Sequence, residues 1–287
     1  MKKYMVRCDM EGASGVVSPE QVIPGRREFE FGCRMLMADL MAVLQGLGEG
    51  GADEVVVYDK HFHGRNIDMT RIPDHVRVVC GRPPYVEEWA GELDSSFEGV
   101  ILLGFPAKAG TERGIMAHSY DGDIRDIRLN GTSVGEVGME AAIAGDFGVP
   151  VMLVTGDTSC VNEASDLIPG VFGVVVKDSL GATSGVCYSL GVTTGLIRNA
   201  AEKVVKQPPS AGPCRLDGEA RLEVELKDGR FCDGMKEAFG ERMKEGTTIV
   251  LEAAGALEAW AEYQRQKQQV LRALGGEMAG AEPVGGG

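Results

Sequence analysis

The sequence is short of positive charge and of long apolar runs, and each shortage excludes a class of protein. Lysine and arginine total 29 against 43 aspartates and glutamates, for a formal charge of −14. Such an acidic chain, with no basic stripe, repels phosphate backbones, which argues against a nucleic-acid partner. No segment approaches the roughly 20 apolar residues of a membrane span. The first apolar run covers only Tyr4 to Val6, whereas an export signal needs roughly 7 to 15 such residues.

Two common cofactor and redox motifs are also missing. The seven cysteines are odd in number, scattered and without a CxxC pair, so we expect free thiols in a reducing cytoplasm. A dinucleotide-binding domain needs Gly-x-Gly-x-x-Gly after its first strand. Here that strand runs into Asp9 and Glu11, whose charges would repel a pyrophosphate.

The first two thirds of the chain alternate short apolar runs with helical patterns, which is typical of a βα-repeating sheet. A long helix is predicted from Arg27 to Gly46, where a run of glycines ends the pattern. Asn130-Gly131 predicts a β-hairpin between 124–129 and 132–135. The predicted strands of the main sheet are 4–8, 54–58, 76–80, 100–105, 151–155 and 171–177.

The proline-rich segment from Gln207 to Pro213 reads as a linker. Beyond it, alternating residues near Leu222 and a stretch at 247–251 predict strands, and 256–274 predicts a closing helix. The fold class expected is therefore α/β, with a βα-repeating main sheet and a smaller α+β C-terminal portion. The expected divisions are a metal-binding domain at 1–206, the smaller portion at 214–274 and a disordered tail at 275–287.

Asp9 and Glu11 directly follow the first predicted strand. Residues two apart in an extended chain point the same way, and sites in open α/β sheets form beyond the carboxyl ends of strands. Two carboxylates there repel each other unless a cation lies between them. A solvated acidic turn before Gly12 is the alternative for this pair taken alone.

His61 stands at the equivalent end of the second strand, after Asp59, in a chain with only four histidines. Imidazole beside carboxylates suits zinc. His118 lies in a loop after the fourth strand, where its ordinary pKa suits proton transfer. Glu136 begins a predicted helix. A surface histidine at 61 and a helix N-terminal charge at 136 are the alternatives.

Together these segments resemble the DppA-type D-aminopeptidase family of zinc metallopeptidases. The resemblance covers nearly the whole chain in the same order and is looser in the C-terminal third. It rests on five blocks: Cys8-Asp9-Met10-Glu11-Gly12-Ala13-Ser14-Gly15, Asp59-Lys60-His61, Leu102-Leu103-Gly104-Phe105, Met116-Ala117-His118-Ser119, and Asn130 with Val134-Gly135-Glu136. The similarity goes on through Val154-Thr155-Gly156-Asp157.

The resemblance implies both a site and an activity. Asp9, Glu11, His61 and Glu136 would be metal ligands and His118 the catalytic histidine. It also implies one or two zinc ions, removal of an N-terminal D-amino acid from short peptides, and a homo-oligomeric ring. The substrate's amino group needs a carboxylate partner, for which Asp157 is a candidate.

One position departs from the family pattern. The family has a second metal-binding histidine just after the Leu-Gly-aromatic run, where this chain has Pro106. Two carboxylates, Asp9 and Glu136, would remain for a second ion, a set better suited to Mn²⁺ or Mg²⁺. Four interpretations stay open: a one-metal hydrolase, recruitment of His63 or another residue, a scaffold that has lost peptidase activity, or a metal hydrolase of another small amide or ester.

Overall fold

The computed structural model describes residues 1–81, 90–244 and 246–274. In chain order the strands are β1 (Lys3–Cys8), β2 (Glu54–Asp59), β3 (Val76–Val79), β4 (Gly99–Phe105), β5 (Ile124–Leu129), β6 (Thr132–Val134), β7 (Val151–Asp157), β8 (Phe172–Gly181), β9 (Ser184–Cys187), β10 (Ala220–Leu226), β11 (Met243–Lys244) and β12 (Thr248–Ala253). The α-helices are α1 (Phe29–Gly50), α2 (Glu136–Asp146), α3 (Thr158–Leu167), α4 (Leu190–Lys206), α5 (Arg230–Phe239) and α6 (Ala256–Ala273). Short 3-10 helices cover Pro19–Gln21, Met69–Arg71 and Gly240–Arg242.

The larger sheet has the order β3-β2-β1-β4-β7-β8-β9. Its neighbours are parallel except for the antiparallel pair β8 and β9. This arrangement confirms the α/β class and the βα-repeating sheet predicted from the apolar periodicity. Because β1 and β4 are neighbours near the middle of the sheet, their carboxyl ends form the crevice expected to hold a site.

Apolar side chains fill both faces of this sheet. On one face α1 and α4 cover residues such as Val6, Val57 and Ile101. On the other, α2 and α3 pack with the second sheet and α6 around residues such as Val100 and Trp260. Among the described residues, no helix has the length and apolar character needed to cross a membrane.

The helix α1 continues to Gly50, four residues beyond the predicted end at Gly46. Gly46 is not a stop signal but a contact point with α4. A Cβ at this position would lie 2.2 Å from the carbonyl oxygen of Arg198. Close packing of α1 against α4 therefore explains Gly46, which the local sequence had suggested was the end of the helix. The residue that caps the helix after Gly50 is Gly51, which has φ +91°.

The hairpin predicted around Asn130-Gly131 is present as the antiparallel pair β5 and β6. It joins the C-terminal strands in a second sheet of order β11-β12-β10-β5-β6. The smaller portion expected at 214–274 is thus built on strands from both sides of the 207–213 segment. The tail expected at 275–287 lies outside the described residues.

Candidate active site

Asp9 and Glu11 follow β1 in a loop held closely against β4. The N–H of Asp9 donates to the carbonyl of Leu103, and that of Gly12 donates to the carbonyl of Gly104, each at 2.8 Å. Gly104 has φ +74°, and a Cβ there would lie 2.4 Å from the carbonyl oxygen of Asp9. Glycine is therefore needed for this approach. As a result, both acidic side chains are buried at the carboxyl edge of the sheet.

A buried lysine that sequence reasoning missed supports the same loop. Lys177 on β8 donates from Nζ to the carbonyl oxygens of Glu11 at 2.6 Å and Ala13 at 2.8 Å, and also to that of Val16. Burial lowers the pKa of Lys177 to about 8. Its sequence signal was a single lysine at the end of an otherwise apolar strand.

His61, just beyond β2, faces the two carboxylates. Its Nε2 lies 2.7 Å from the carbonyl oxygen of Val22, and because a carbonyl only accepts, Nε2 carries the hydrogen. Its Nδ1 lies 2.8 Å from Oδ1 of Asp9 and 3.2 Å from Oε2 of Glu11. Nδ1 is thus directed at the carboxylates while the opposite nitrogen is anchored, which is how metal-ligating histidines are usually oriented.

Asn66, which the sequence analysis did not single out, joins Asp59 to the turn that carries His61. The carboxylate of Asp59 accepts from the backbone N–H of Asn66 at 2.7 Å and from its side-chain amide at 2.9 Å. The Asn66 amide also donates to the carbonyl oxygen of His61 at 2.8 Å. Asp59 therefore orders the chain around His61, and both of its oxygens are already engaged.

The group Asp9, Glu11 and His61 has the properties of a metal site. One ligand atom from each lies within 4.8 Å of the others, and all three residues are buried. Oε2 of Glu11 is buried and accepts no hydrogen bond, which would be costly for a carboxylate without a cation. Two carboxylate oxygens and one imidazole nitrogen form a donor set that zinc accepts.

The pKa shifts of Asp9, Glu11 and His61 also indicate that a positive charge stabilises this group. Burial and, after it, the charge of the nearby Glu11 together raise the pKa of Asp9 to about 6. Although burial opposes a charge on His61, the carboxylates of Glu11 and Asp9 raise its pKa well above 6.5. For Glu11, burial is outweighed by the two histidines His61 and His118, which lower its pKa.

His118 and Glu136 form a second pair beside this group. Nδ1 of His118 donates to the carbonyl oxygen of Met116 at 2.9 Å, so Nε2 faces Glu136, with Oε1 at 3.5 Å. Glu136 is the first residue of α2, and its Oε1 accepts from the backbone N–H of Tyr120 at 2.8 Å. The side chain of His118 remains 21% exposed, so a substrate can reach it.

Electrostatics couple this pair to the first group. Burial raises the pKa of Glu136 to about 8, with Asp9 adding to the rise. Burial lowers the pKa of His118, but Glu136, Glu11 and Asp9 together raise it above its usual value. The charges of all five residues singled out in the sequence therefore influence one another's pKa values. His118 and Glu136 lie outside the compact group of Asp9, Glu11 and His61.

The sequence profile of a family described as D-aminopeptidase, the M55 peptidases, matches residues 1–264. The chain belongs to the D-aminopeptidase family. A D-aminopeptidase of Bacillus subtilis (strain 168) is 29% identical over 261 residues, covering 91% of this chain and 94% of the relative.

A solved structure from Bacillus subtilis has the same fold. It is described as the Zn-dependent D-aminopeptidase DppA, a self-compartmentalizing protease. It superposes with a TM-score of 0.87 at 27% identity, and the match covers 95% of this chain and 98% of that one. The resemblance drawn from the five sequence blocks is thereby confirmed.

Two residues of this D-aminopeptidase family member behave differently from the sequence expectation. Asp157, the candidate partner for a substrate amino group, is buried and directed at backbone amides. One of its oxygens accepts from the N–H of Cys160 and the other from that of Ile115, each at 2.8 Å. It holds the loop before His118 instead. His63 packs edge-on against the ring of Phe62 and is not part of the metal-ligand group found among the described residues.

Pro106 is buried and directly follows β4, the neighbour of β1. It therefore occupies the carboxyl edge of the sheet where the family pattern has a second metal-binding histidine. A proline offers no side-chain ligand there. The described part of the chain thus presents one compact ligand group, made of Asp9, Glu11 and His61.

Proposed function

We propose that this protein is a zinc-dependent aminopeptidase that hydrolyses short peptides with an N-terminal D-amino acid. The observation that carries the proposal is the buried group of Asp9, Glu11 and His61, in which Nδ1 of the histidine faces both carboxylates. Membership of the D-aminopeptidase family over residues 1–264 supports the reaction and its substrate class. The solved relative described as Zn-dependent supports zinc as the metal.

Asp9, Glu11 and His61 would hold the zinc ion, and Glu136 borders the same site as a further proposed ligand. When bound, zinc is a Lewis acid that activates water and polarises the scissile carbonyl group. Because Pro106 leaves a second ion without a histidine, we propose a single zinc ion per chain. A weaker second site for Mn²⁺ or Mg²⁺ would have only carboxylates and water.

His118 is the proposed catalytic histidine. Its Nδ1 donates a hydrogen bond to the carbonyl oxygen of Met116, so Nε2 is the nitrogen that exchanges a proton within the site. The carboxylates around it, Glu136 first among them, outweigh the effect of burial and raise its pKa above the ordinary value, which favours a protonated imidazole. In this state Nε2 can donate its proton to the leaving amine. A positioned general acid typically contributes about 10²–10⁴-fold to the rate.

We also propose that copies of this chain assemble into a homo-oligomer, by analogy with the relative described as self-compartmentalizing. A ring with interior sites would restrict access to short peptides. All seven cysteines are free, which fits a reducing compartment, and we propose the cytoplasm.

The first test is the zinc content of protein purified without chelators, compared between the parent, Asp9→Ala and the control Asp166→Ala. Asp166 is an exposed residue of α3. We expect about one zinc ion per chain in the parent and control, and loss of zinc in Asp9→Ala. A parent that binds no zinc when zinc is supplied would overturn the hydrolase proposal and favour a scaffold.

The second test uses matched dipeptides that begin with D-Ala or L-Ala. We expect the zinc-loaded parent to release D-Ala at least about tenfold faster than L-Ala, a difference of roughly 1.4 kcal/mol between the two transition states. Equal rates would contradict the stereochemical part of the proposal. If the protein hydrolyses esters or other small amides but not peptides, its substrates belong to a different class from the one proposed.

A further inference from the structure

A long exposed segment of this acidic chain carries no charge at all. Between Asp178 and Arg198 the sequence contains no Lys, Arg, Asp or Glu, whereas charged residues make up 25% of the whole chain. This segment comprises the end of β8, the strand β9 and the first turns of α4. We call residues 179–197 the uncharged surface.

The uncharged surface is also the main apolar surface of the described chain. Of the eight large hydrophobic residues that are exposed, six lie on it, and Met1 and Met69 are the other two. Their exposed fractions range from 37% to 54%. Apolar surface concentrated in one place usually marks an interface. The six are Leu180, Val186, Tyr188, Leu190, Val192 and Leu196.

Two glycines in α4 support the same conclusion. Gly191 and Gly195 are four residues apart and therefore lie on one face of the helix. Apart from the adjacent residues and the backbone of the same helix, no atom lies within 4 Å of the position that a Cβ would take at either residue. A glycine in a helix costs roughly 0.5–1 kcal/mol relative to alanine, and packing within the chain does not explain it. A close approach by another molecule would explain it.

We propose that a second copy of this chain covers the uncharged surface, with β9 and the start of α4 of each copy facing the same elements of its partner. The inference rests on the homo-oligomer proposed above and names its interface. A charge of −14 makes two copies repel each other over most of their surfaces. Contact between two uncharged surfaces avoids this repulsion and buries apolar side chains on both.

One edge of the seven-stranded sheet also lies on the uncharged surface. Within the described residues, β9 is the last strand of the seven-stranded sheet, so its outer edge has no neighbouring strand. Such an edge is a common site of association with another chain. It is short and uncharged here, and no Lys or Pro lies on it to prevent pairing.

The uncharged surface adjoins the active site. The carbonyl of Ala182, between β8 and β9, accepts from the N–H of Met116 at 2.8 Å. A Cβ at Gly185 would lie 2.8 Å from the side chain of Ile115. Both contacts are with the loop that carries His118. An interface at this position would bring the sites of two copies towards each other, as an enclosed compartment requires.

The test compares Val192→Glu with Met69→Glu, because both parent residues are 53% exposed and both variants gain the same charge. Val192 is the third residue of α4, after the N-cap Ser189. Glutamate there can complete a capping box and favours the helix N-terminus, so the chain should still fold. Circular dichroism and a thermal melt check this directly.

Sedimentation velocity at micromolar protein gives the assembly state. We expect the parent and Met69→Glu to sediment as the same oligomer and Val192→Glu to dissociate, with association weakened at least about tenfold. A folded Val192→Glu, Leu196→Glu double variant that assembles like the parent would overturn the proposed interface, as would a monomeric parent. Zinc content and hydrolysis, measured on the same samples, separate a failure of this inference from a failure of the peptidase proposal.

Discussion

The two ring nitrogens of His61 have different partners, and this difference decides what the residue can do. Nε2 donates to the carbonyl oxygen of Val22, whereas Nδ1 faces Asp9 and Glu11. A neutral imidazole with this hydrogen bond directs a lone pair at two carboxylates, which is unfavourable without a proton or a cation. The same geometry therefore explains both the raised pKa of His61 and its suitability as a ligand.

His118 is the residue whose loss should separate catalysis from metal binding. In His118→Ala we expect turnover of D-Ala peptides to fall by about 10²–10⁴-fold, since a general acid is removed. Zinc content should be unchanged, because His118 is outside the three-residue ligand group. Steady-state kinetics and metal analysis measure the two effects.

His75→Ala is the matched control for this variant, because His75 is exposed and directly precedes β3. It should retain both activity and zinc. A His118→Ala protein that has lost its zinc would indicate that His118 is a ligand rather than a proton donor.

At the scale of secondary structure, the helix α6 supports the loop that carries His118. The ring of Tyr120 packs on Trp260 with centroids 4.4 Å apart. Lys267 forms an ion pair with Asp121, and both side chains are largely buried. The C-terminal portion, which was expected only as a smaller appended unit, is therefore in direct contact with the active-site loop.

We expect Lys267→Met to lower turnover on the order of tenfold while zinc content stays at the parent level. Without the lysine, Asp121 is left poorly solvated and moves the loop, and small displacements of a catalytic group are costly. The comparison is Lys206→Met, which removes only the exposed pair with Glu202 and should leave kcat and KM unchanged. Unchanged turnover in a less stable Lys267→Met would assign α6 a purely structural role.

For the molecule as a whole, a buried cluster of ion pairs connects three elements. Glu140 on α2 pairs with Arg7 on β1 and, at 3.0 Å, with Lys60 after β2. It also accepts from the hydroxyl of Tyr120 at 2.9 Å. Burial opposes a charge on Glu140, but Lys60 and Arg7 outweigh it and lower its pKa from 4.5 to about 2.

The lowered pKa of Glu140 makes the free energy of unfolding depend on pH. Between pH 4.5 and about 2 the unfolded chain binds more protons at Glu140 than the native chain does, given the lowered pKa. The stabilisation is therefore complete above pH 4.5 and is lost as the pH falls through this window. It should appear as a decrease in the free energy of unfolding, measured with urea at a series of pH values.

Glu140→Gln should cost about 3–5 kcal/mol at neutral pH, because it leaves Arg7 and Lys60 without their buried partner. The difference from the parent should shrink as the pH falls towards 2. Glu49→Gln breaks an exposed pair with Arg198, which water screens, and should leave the free energy of unfolding almost unchanged. Similar losses in both variants would contradict a special role for the buried cluster.

The sequence by itself determined most strands of the main sheet, the hairpin of β5 and β6, and the class of fold. Apolar periodicity is a local property, so the strands around Val6, Val56 and Val154 could be predicted from neighbouring residues alone. It also placed Asp9 and His61 at strand ends, and parallel strands bring those ends to one edge. The family resemblance added His118 and Glu136, whose local sequence was ambiguous.

The tertiary structure decided which of these residues meet and what supports them. Lys177 reaches the loop of Glu11 across 166 positions of sequence, and Arg7 reaches Glu140 across 133. It also showed that Asp157 is occupied by backbone amides and that Gly46 is a helix contact. Local sequence patterns carry no information about such partners, because strand order and the closure of long loops during folding decide which residues meet.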